Sequence, residues 1–345
     1  MNLINTRYSF MSAYLKGEES RSVTFEQIGE VLQRSATMQD ALEIIGETDI
    51  GEYLLDQPIK TFDDADEILW AYLDECLRRL DGFDMPSDMS RIAHLYVEKY
   101  DVLNIRIALR IILKRVPSSL VPLGAIHSGG YLQELAAVRE KDELFSILAA
   151  CGLGDYIRTI EDINEKDPQS VSEGEVWLQN LYHQKVLEAF RSMADGHLLE
   201  KAFKIGIDTA NLRTVFRVSL GGGAAAGAPI LSDGRMLARD TVQELLTLKL
   251  AEITGKLEST GYHMMAQEVA KGYEKGADIT AVDKVTEKHR FRMLKDLLSS
   301  RILSTANMLW YLLLKELEIR NLRLIFKMLA DGIPPAEIRD LVIAA

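Results

Sequence analysis

YDVLNIRIALR at residues 100–110, IDTANLRTVFR at 207–217 and LEIRNLRLIFK at 317–327 are three versions of one helical phrase. Counted from the asparagine (Asn104, Asn211, Asn321), each carries an acid at −3: Asp101, Asp208 and Glu318. Each has Ile or Leu at +1, arginine at +2 (Arg106, Arg213, Arg323) and a base at +6 (Arg110, Arg217, Lys327). Five such matches arise by chance on the order of once in 10⁵ positions of ordinary composition, so three copies mark a repeat. On a helix, positions +1, +4 and +5 form one apolar stripe: Ile105/Ala108/Leu109, Leu212/Val215/Phe216 and Leu322/Ile325/Phe326. The Asn borders that stripe and the acid lies one turn earlier on the same side. The arginine and the base fall four apart on the opposite face. Residues of these types suit a structural role, with Asn and acid satisfying polar groups between packed helices. A catalytic role would demand three equivalent active sites without His or Cys.

Working outward, the flanks repeat too. Trp70 lies 34 residues before Asn104 and Trp177 lies 34 before Asn211; no Trp holds that place before Asn321. GEYL (51–54) and GDYI (154–157) precede the first two asparagines, with Gly261-Tyr262 a weaker echo before the third. The asparagines are 107 and 110 residues apart, far beyond the unit length of ordinary helical solenoids. The spacing predicts three tandem helical domains, 1–126, 127–232 and 233–345. Segments such as ADEILWAYLDECLRRL, EVWLQNLYHQKVLEAF and NMLWYLLLKELEIRNLRLIFKML keep the helical period. Alternating strand patterns with Asn-Gly or Asp-Gly turns are missing, so the fold class is all-α. Breakers are expected at 116–130, in a charged loop at 161–175, at GGGAAAGAP (221–229) and at DGIPP (331–335).

The 345 residues are 47% hydrophobic, enough for real cores and against disorder. A net charge of −12 argues against a nucleic-acid backbone as main partner and suits basic protein partners. Cys76 and Cys151 make neither a disulfide framework nor a zinc site, and read as buried thiols of a cytoplasmic protein. The opening MNLINTRYSFMSAYLKG lacks the apolar run of a signal peptide. The most apolar stretch, Ile302 to Leu314, has the length of a buried core helix, not of a membrane span.

Three motifs invite a chemical reading. Asp63-Asp64-Ala65-Asp66-Glu67 fits the DDxx[DE] pattern with which all-α isoprenoid synthases hold Mg²⁺. No second acidic motif accompanies it, and acids after Thr61 also describe a helix N-terminus. Gly221 to Ala226 fits GxGxxA, but a helix precedes it and Pro229 follows, which describes a linker. No P-loop is present. The six histidines (His94, His127, His183, His197, His263, His289) form no HExxH, and the pair His94 and Glu98 at i, i+4 reads as a surface contact. Other acid/base pairs read as solvated helix faces. The residues therefore point to no catalytic, cofactor-binding or metal site, and to no cofactor.

The three phrases, and most specifically EIRNLRLIF at 318–326, resemble the signature helices of the C subunit of archaeal and bacterial V-type (A-type) ATP synthases, a relative of the d subunit of eukaryotic V-ATPases. The resemblance extends over essentially the whole chain, including YSFMSAYLKGEESRSVTFEQIGEVL at 8–32. It implies a funnel-like body of three similar helical domains, peripheral on the cytoplasmic face of the membrane and without a transmembrane segment. It implies a non-catalytic rotor component, a socket joining the D and F subunits of the central shaft to the membrane rotor ring and passing torque between ion flow and ATP synthesis or hydrolysis. The alternatives are a stand-alone helical scaffold for another shaft-like protein, and an Mg²⁺-dependent isoprenoid-type enzyme using residues 63–67.

Overall fold

The computed structural model describes residues 6–114, 119–164, 167–221, 228–276, 279–339 and 341–343. Among them every regular element is a helix, and no helix is long and apolar enough to cross a membrane. The chain divides into two compact units, Met1–Tyr96 with Lys295–Ala345, and Val97–Leu294. We call these unit 1 and unit 2. Six helices dominate: α1 (Phe62–Asp81), α2 (Ser87–Lys114), α3 (Pro168–Arg191), α4 (Gly196–Gly221), α5 (Thr280–Leu298) and α6 (Ala306–Asp331). The signature phrases lie on α2, α4 and α6.

In unit 1, α6 is the core. Its residues 306–315 are buried on all faces, as expected of a helix apolar all round. The short helix Ser9–Ser20 covers one side, where the indole Nε1 of Trp310 donates to Glu19 at 3.2 Å. On another side α1 runs antiparallel to α6, with Phe62 beside Lys327, Asp66 beside Arg323 and Tyr72 beside Lys315. The start of α1 is fixed by a capping box. Thr61 accepts from the Asp64 N–H at 3.2 Å while the Asp64 carboxylate accepts from the Thr61 N–H at 2.8 Å.

Unit 2 repeats this antiparallel packing twice. Glu175 on α3 meets Arg110 and Arg106 on α2, and Lys185 meets Glu98. Asp283 on α5 meets Arg217 on α4, and Glu287 meets Arg213. The core around α4 gathers Leu212, Val215 and Phe216 with Val242, Ile253, Tyr262 and Val269.

Three local expectations need correction. The charged segment 161–175 is not all loop, because α3 begins at Pro168. Asp167 caps it by accepting the Gln169 N–H at 3.0 Å, and proline suits the first helical position. Gly174, which reads as a breaker, sits inside the helix because a Cβ there would lie 2.3 Å from Ile163. The apolar run from Ile302 does not start a helix at once. Ile302 is 67% exposed, Leu303 is left-handed at φ 60°, and helix begins at Ala306, whose N–H the Ser304 hydroxyl accepts at 3.1 Å. Cys76 is buried, and burial raises its thiol to about 11, but Cys151 is only half-buried. Most of the Gly/Ala stretch, residues 222–227, lies outside the described residues.

Candidate functional site

The three asparagines make the same contact. The Asn104 amide Nδ2 donates to the Val121 carbonyl at 2.8 Å, while its Oδ1 accepts the Val121 N–H at 2.8 Å. Asn211 does this with Leu231 at 2.9 and 2.8 Å, and Asn321 with Ile343 at 2.9 and 3.2 Å. Each buried side chain thus imitates a peptide unit and satisfies both polar groups of one passing residue. Asparagine is suited to this, since it offers donor and acceptor from one planar group.

One turn earlier, the buried acids hold backbone at or just before the start of another helix. Asp101 accepts the N–H groups of Ala125 and Ile126 at 2.9 and 3.0 Å. Asp208 accepts those of Met236 and Leu237 at 2.8 and 3.3 Å, and the Tyr262 hydroxyl at 2.7 Å. Glu318 accepts the Val23 N–H at 2.6 Å, two residues before helix Phe25–Arg34. Burial raises the pKa of all three, to about 6 for Asp101. The two aspartates lie against glycines: a Cβ on Gly124 or Gly234 would come within 2.4 Å or 1.9 Å of the carboxylate.

The bases at +2 and +6 are not simply solvated. Arg110 grips the Glu175 carboxylate through Nε and Nη2 at 2.7 and 2.5 Å, and Arg106 adds a contact at 3.1 Å. Burial works against ionisation of Glu175, yet Arg110 and Arg106 hold its pKa low. Arg213 reaches Glu287 at 2.8 Å and Arg217 reaches Asp283 at 2.6 Å. Arg323 pairs with Asp66 and lies over the Trp70 ring, 4.8 Å from its centroid. Lys327 bonds Asp331 at 2.9 Å and lies over Phe62.

α6 adds a buried polar chain of its own. Lys315 Nζ, fully buried, donates to the Tyr72 hydroxyl at 2.8 Å and to Glu318 at 3.1 Å. Tyr72 donates to Asp49 at 2.7 Å, and Arg79 meets both Asp49 oxygens at 3.2 Å. Burial opposes the charge on Asp49, but the Tyr72 hydrogen bond with the Arg79 and Lys315 cations holds its pKa low. The sequence contains a signal for this chain: Lys315 directly follows the uncharged apolar run Ile302–Leu314, and a buried ammonium demands partners. Glu287 is legible in a similar way. It stands 34 residues before Asn321, the place held by Trp70 and Trp177 before the other two asparagines.

The chemical motifs are brought to other uses. Asp64 caps α1, and the Thr61 and Lys60 N–H groups hold its pKa low. Asp66 is committed to Arg323. Asp64 thus marks a helix start and Asp66 an interhelix clamp. His94 Nδ1 lies 3.4 Å from Ser90, while Glu98 is engaged by Tyr156 and Lys185. His183 is buried against Phe203, and burial lowers its pKa to about 4.

The family model described as ATP synthase (C/AC39) subunit matches residues 11–341. The A-type ATP synthase C subunit of Thermococcus kodakarensis is 28% identical over 98% of this chain and 90% of its own length. Those of a Desulfurococcus species and of Pyrococcus abyssi are 27% and 25% identical, over 97% and 98% of this chain and 90% of each relative.

Proposed function

Because the chain belongs to the ATP synthase (C/AC39) subunit family, we propose that it is the non-catalytic central-rotor component of a V/A-type ATP synthase. In this reading it is a socket that joins the D and F subunits of the shaft to the membrane rotor ring. It sits peripherally on the cytoplasmic face and passes torque between ion translocation and ATP turnover. Its body is three tandem helical domains, divided near residues 127 and 233, that together form a funnel. The observation that carries the reading is the family match over nearly the whole chain.

The repeated geometry supports it. Three helices use the same Asn and acid to lock the backbone packed against them, and local stiffness of this kind suits a torque-bearing adaptor. Within the 63–67 cluster, Asp64 serves as a cap and Asp66 as a clamp.

Reconstitution of the complex with and without this protein tests the proposal. Without it, the assembled catalytic head should hydrolyse ATP while ion pumping is lost. Loss of hydrolysis by an intact head would overturn the reading.

A further inference from the structure

Counted back from each signature asparagine, positions −38 and −34 carry a second repeated pair: Asp66 and Trp70, Glu173 and Trp177, Asp283 and Glu287. Four apart on a helix, the two side chains of each pair share one face. In two copies that face receives arginine from a signature helix. Arg323 pairs with Asp66 and lies over the Trp70 ring. Arg217 pairs with Asp283 at 2.6 Å, and Arg213 with Glu287 at 2.8 Å.

On α3 the clamp is displaced. Arg106 and Arg110 close on Glu175 instead, two residues after Glu173. Two residues turn a helix by roughly 200°, so the Glu173 and Trp177 face looks away from that clamp. Glu173 is exposed, and Gln169 takes only one of its oxygens, at 2.8 Å. Trp177 is 42% exposed, and among the described residues no cation lies over its ring. The pair borders a groove of about 670 Å³ within unit 2, lined also by residues 228–230 and by the helix Arg239–Leu245. Arg239 itself lines the groove, exposed and without an ion pair among the described residues.

We infer that this groove docks an arginine of a partner protein, its guanidinium stacked on Trp177 and bonded to Glu173, with a neighbouring carboxylate of the partner set against Arg239. The chain's own Arg323 demonstrates what an acid and a Trp at these two positions accept. Arginine fits better than lysine, because its planar guanidinium stacks on an aromatic face and bonds a carboxylate at once. Arg239 adds selection by repulsion. It disfavours a purely basic segment and admits one that carries an acid beside the arginine. This inference stands apart from the rotor assignment and holds whether or not that assignment does.

The indole N–H signals of the three tryptophans in the intact protein test it in one NMR sample. The probe is the blocked peptide acetyl-Ala-Ala-Arg-Ala-Glu-Ala-amide. The Trp177 signal, assigned by its loss in Trp177→Phe, should shift and saturate with a Kd on the order of 1–10 mM. The signals of Trp70, already covered by Arg323, and of Trp310, bonded to Glu19, should stay in place. Lysine in place of the peptide's arginine should weaken binding at least about threefold, and so should Glu173→Gln in the protein. Arg239→Ala should weaken binding of the probe, yet strengthen binding of a peptide with glutamine in place of its glutamate. A Trp177 signal unmoved at about 50 mM peptide would overturn the site. An equal shift with alanine in place of the arginine would do the same, since the groove would then be an apolar patch only. Equal affinity of Glu173→Gln and wild type would remove the guanidinium pair and the proposal with it.

Discussion

α6 and the pair α2 and α4 carry the same five-position signature, yet they spend it differently. In unit 2 each Asn and acid hold one continuous stretch of backbone, Val121 to Ile126 or Leu231 to Leu237. In unit 1 the same groups hold Val23 and Ile343, and the acid has a buried lysine beside it. An identical local pattern therefore closes a loop in one place and joins remote segments in another. The balance of forces changes accordingly, from hydrogen bonds on a buried carboxylate without a cation in hydrogen-bond contact to a chain of paired charges.

The sharpest way to break this comparison is to remove the lysine. Lys315→Met leaves Glu318 buried without its cation and weakens the hold on Asp49 through Tyr72. Breaking a buried pair from one side costs about 3–5 kcal/mol. Lys185→Met in unit 2 removes a lysine that is 34% exposed from Glu98, and should cost about 1 kcal/mol or less. Adding Glu318→Leu to Lys315→Met should recover part of the loss, since no charge is then left stranded. Urea midpoints read all three, and equal losses for the two lysine variants would erase the distinction between the units.

The second test uses pH. Asp101 has its pKa raised from 3.8 to about 6 by burial. The native chain then holds a proton that the unfolded chain has lost between these values. Its contribution is fully present below about pH 4 and is lost as pH rises through about 6. The stability difference between wild type and Asp101→Asn should therefore fall by on the order of 2–3 kcal/mol between about pH 4 and pH 7. Asp49 in unit 1 has the opposite sign. Its lowered pKa gives stability that is present above the ordinary value and lost as pH falls through the depressed one. Wild type minus Asp49→Asn should thus rise with pH, and parallel slopes for the two variants would contradict the assignment.

The asparagines give the next smaller effect. Asn104→Ala, Asn211→Ala and Asn321→Ala each strand one N–H and one C=O and should cost about 1–3 kcal/mol. Asn321→Ala should fall at the low end, because Glu318 holds Val23 and not the Ile343 segment, whereas Asp101 and Asp208 keep the Val121 and Leu231 loops in place after the Asn is lost. Calorimetric or urea midpoints check the order, and three unchanged midpoints would remove the structural role of the signature.

How much of this is legible in the sequence depends on whether a partner is close along the chain. Helices are readable because caps and periodicity are local: Thr61 and Asp64 announce the start of α1, and the apolar stripe of each signature phrase announces its buried face. Even there, Pro168 reads as loop, since a proline after Asp167 starts a helix as readily as it ends one. Apart from Glu287, which its spacing from Asn321 betrays, the long-range partners are not readable. Nothing near Arg106 names Glu175, and Val23 lies 295 residues from Glu318. Glu287 shows why alignment by residue type fails in the third copy. An acid fills the place that the other two give to Trp, and still faces the arginine of a signature helix, as Trp70 faces Arg323.

The smallest effect separates the two arginine clamps. Arg217 and Asp283 are 48% and 42% exposed, so their ion pair is screened by solvent and Arg217→Ala should cost about 0–1 kcal/mol. Arg323 pairs with Asp66 and also covers the Trp70 ring, which adds about 0.5–1 kcal/mol that does not depend on ionic pairing with a carboxylate. Arg323→Ala should therefore cost about 1–2 kcal/mol. Salt sharpens the contrast, because at 1 M the screening length drops to about 3 Å and exposed ion pairs fade. The Arg217 effect should vanish there, while the Arg323 effect should keep the share that comes from stacking. A double-mutant cycle of Arg323→Ala with Trp70→Leu isolates that share. A coupling energy of zero would leave the clamp on α6 no different in kind from the one on α4.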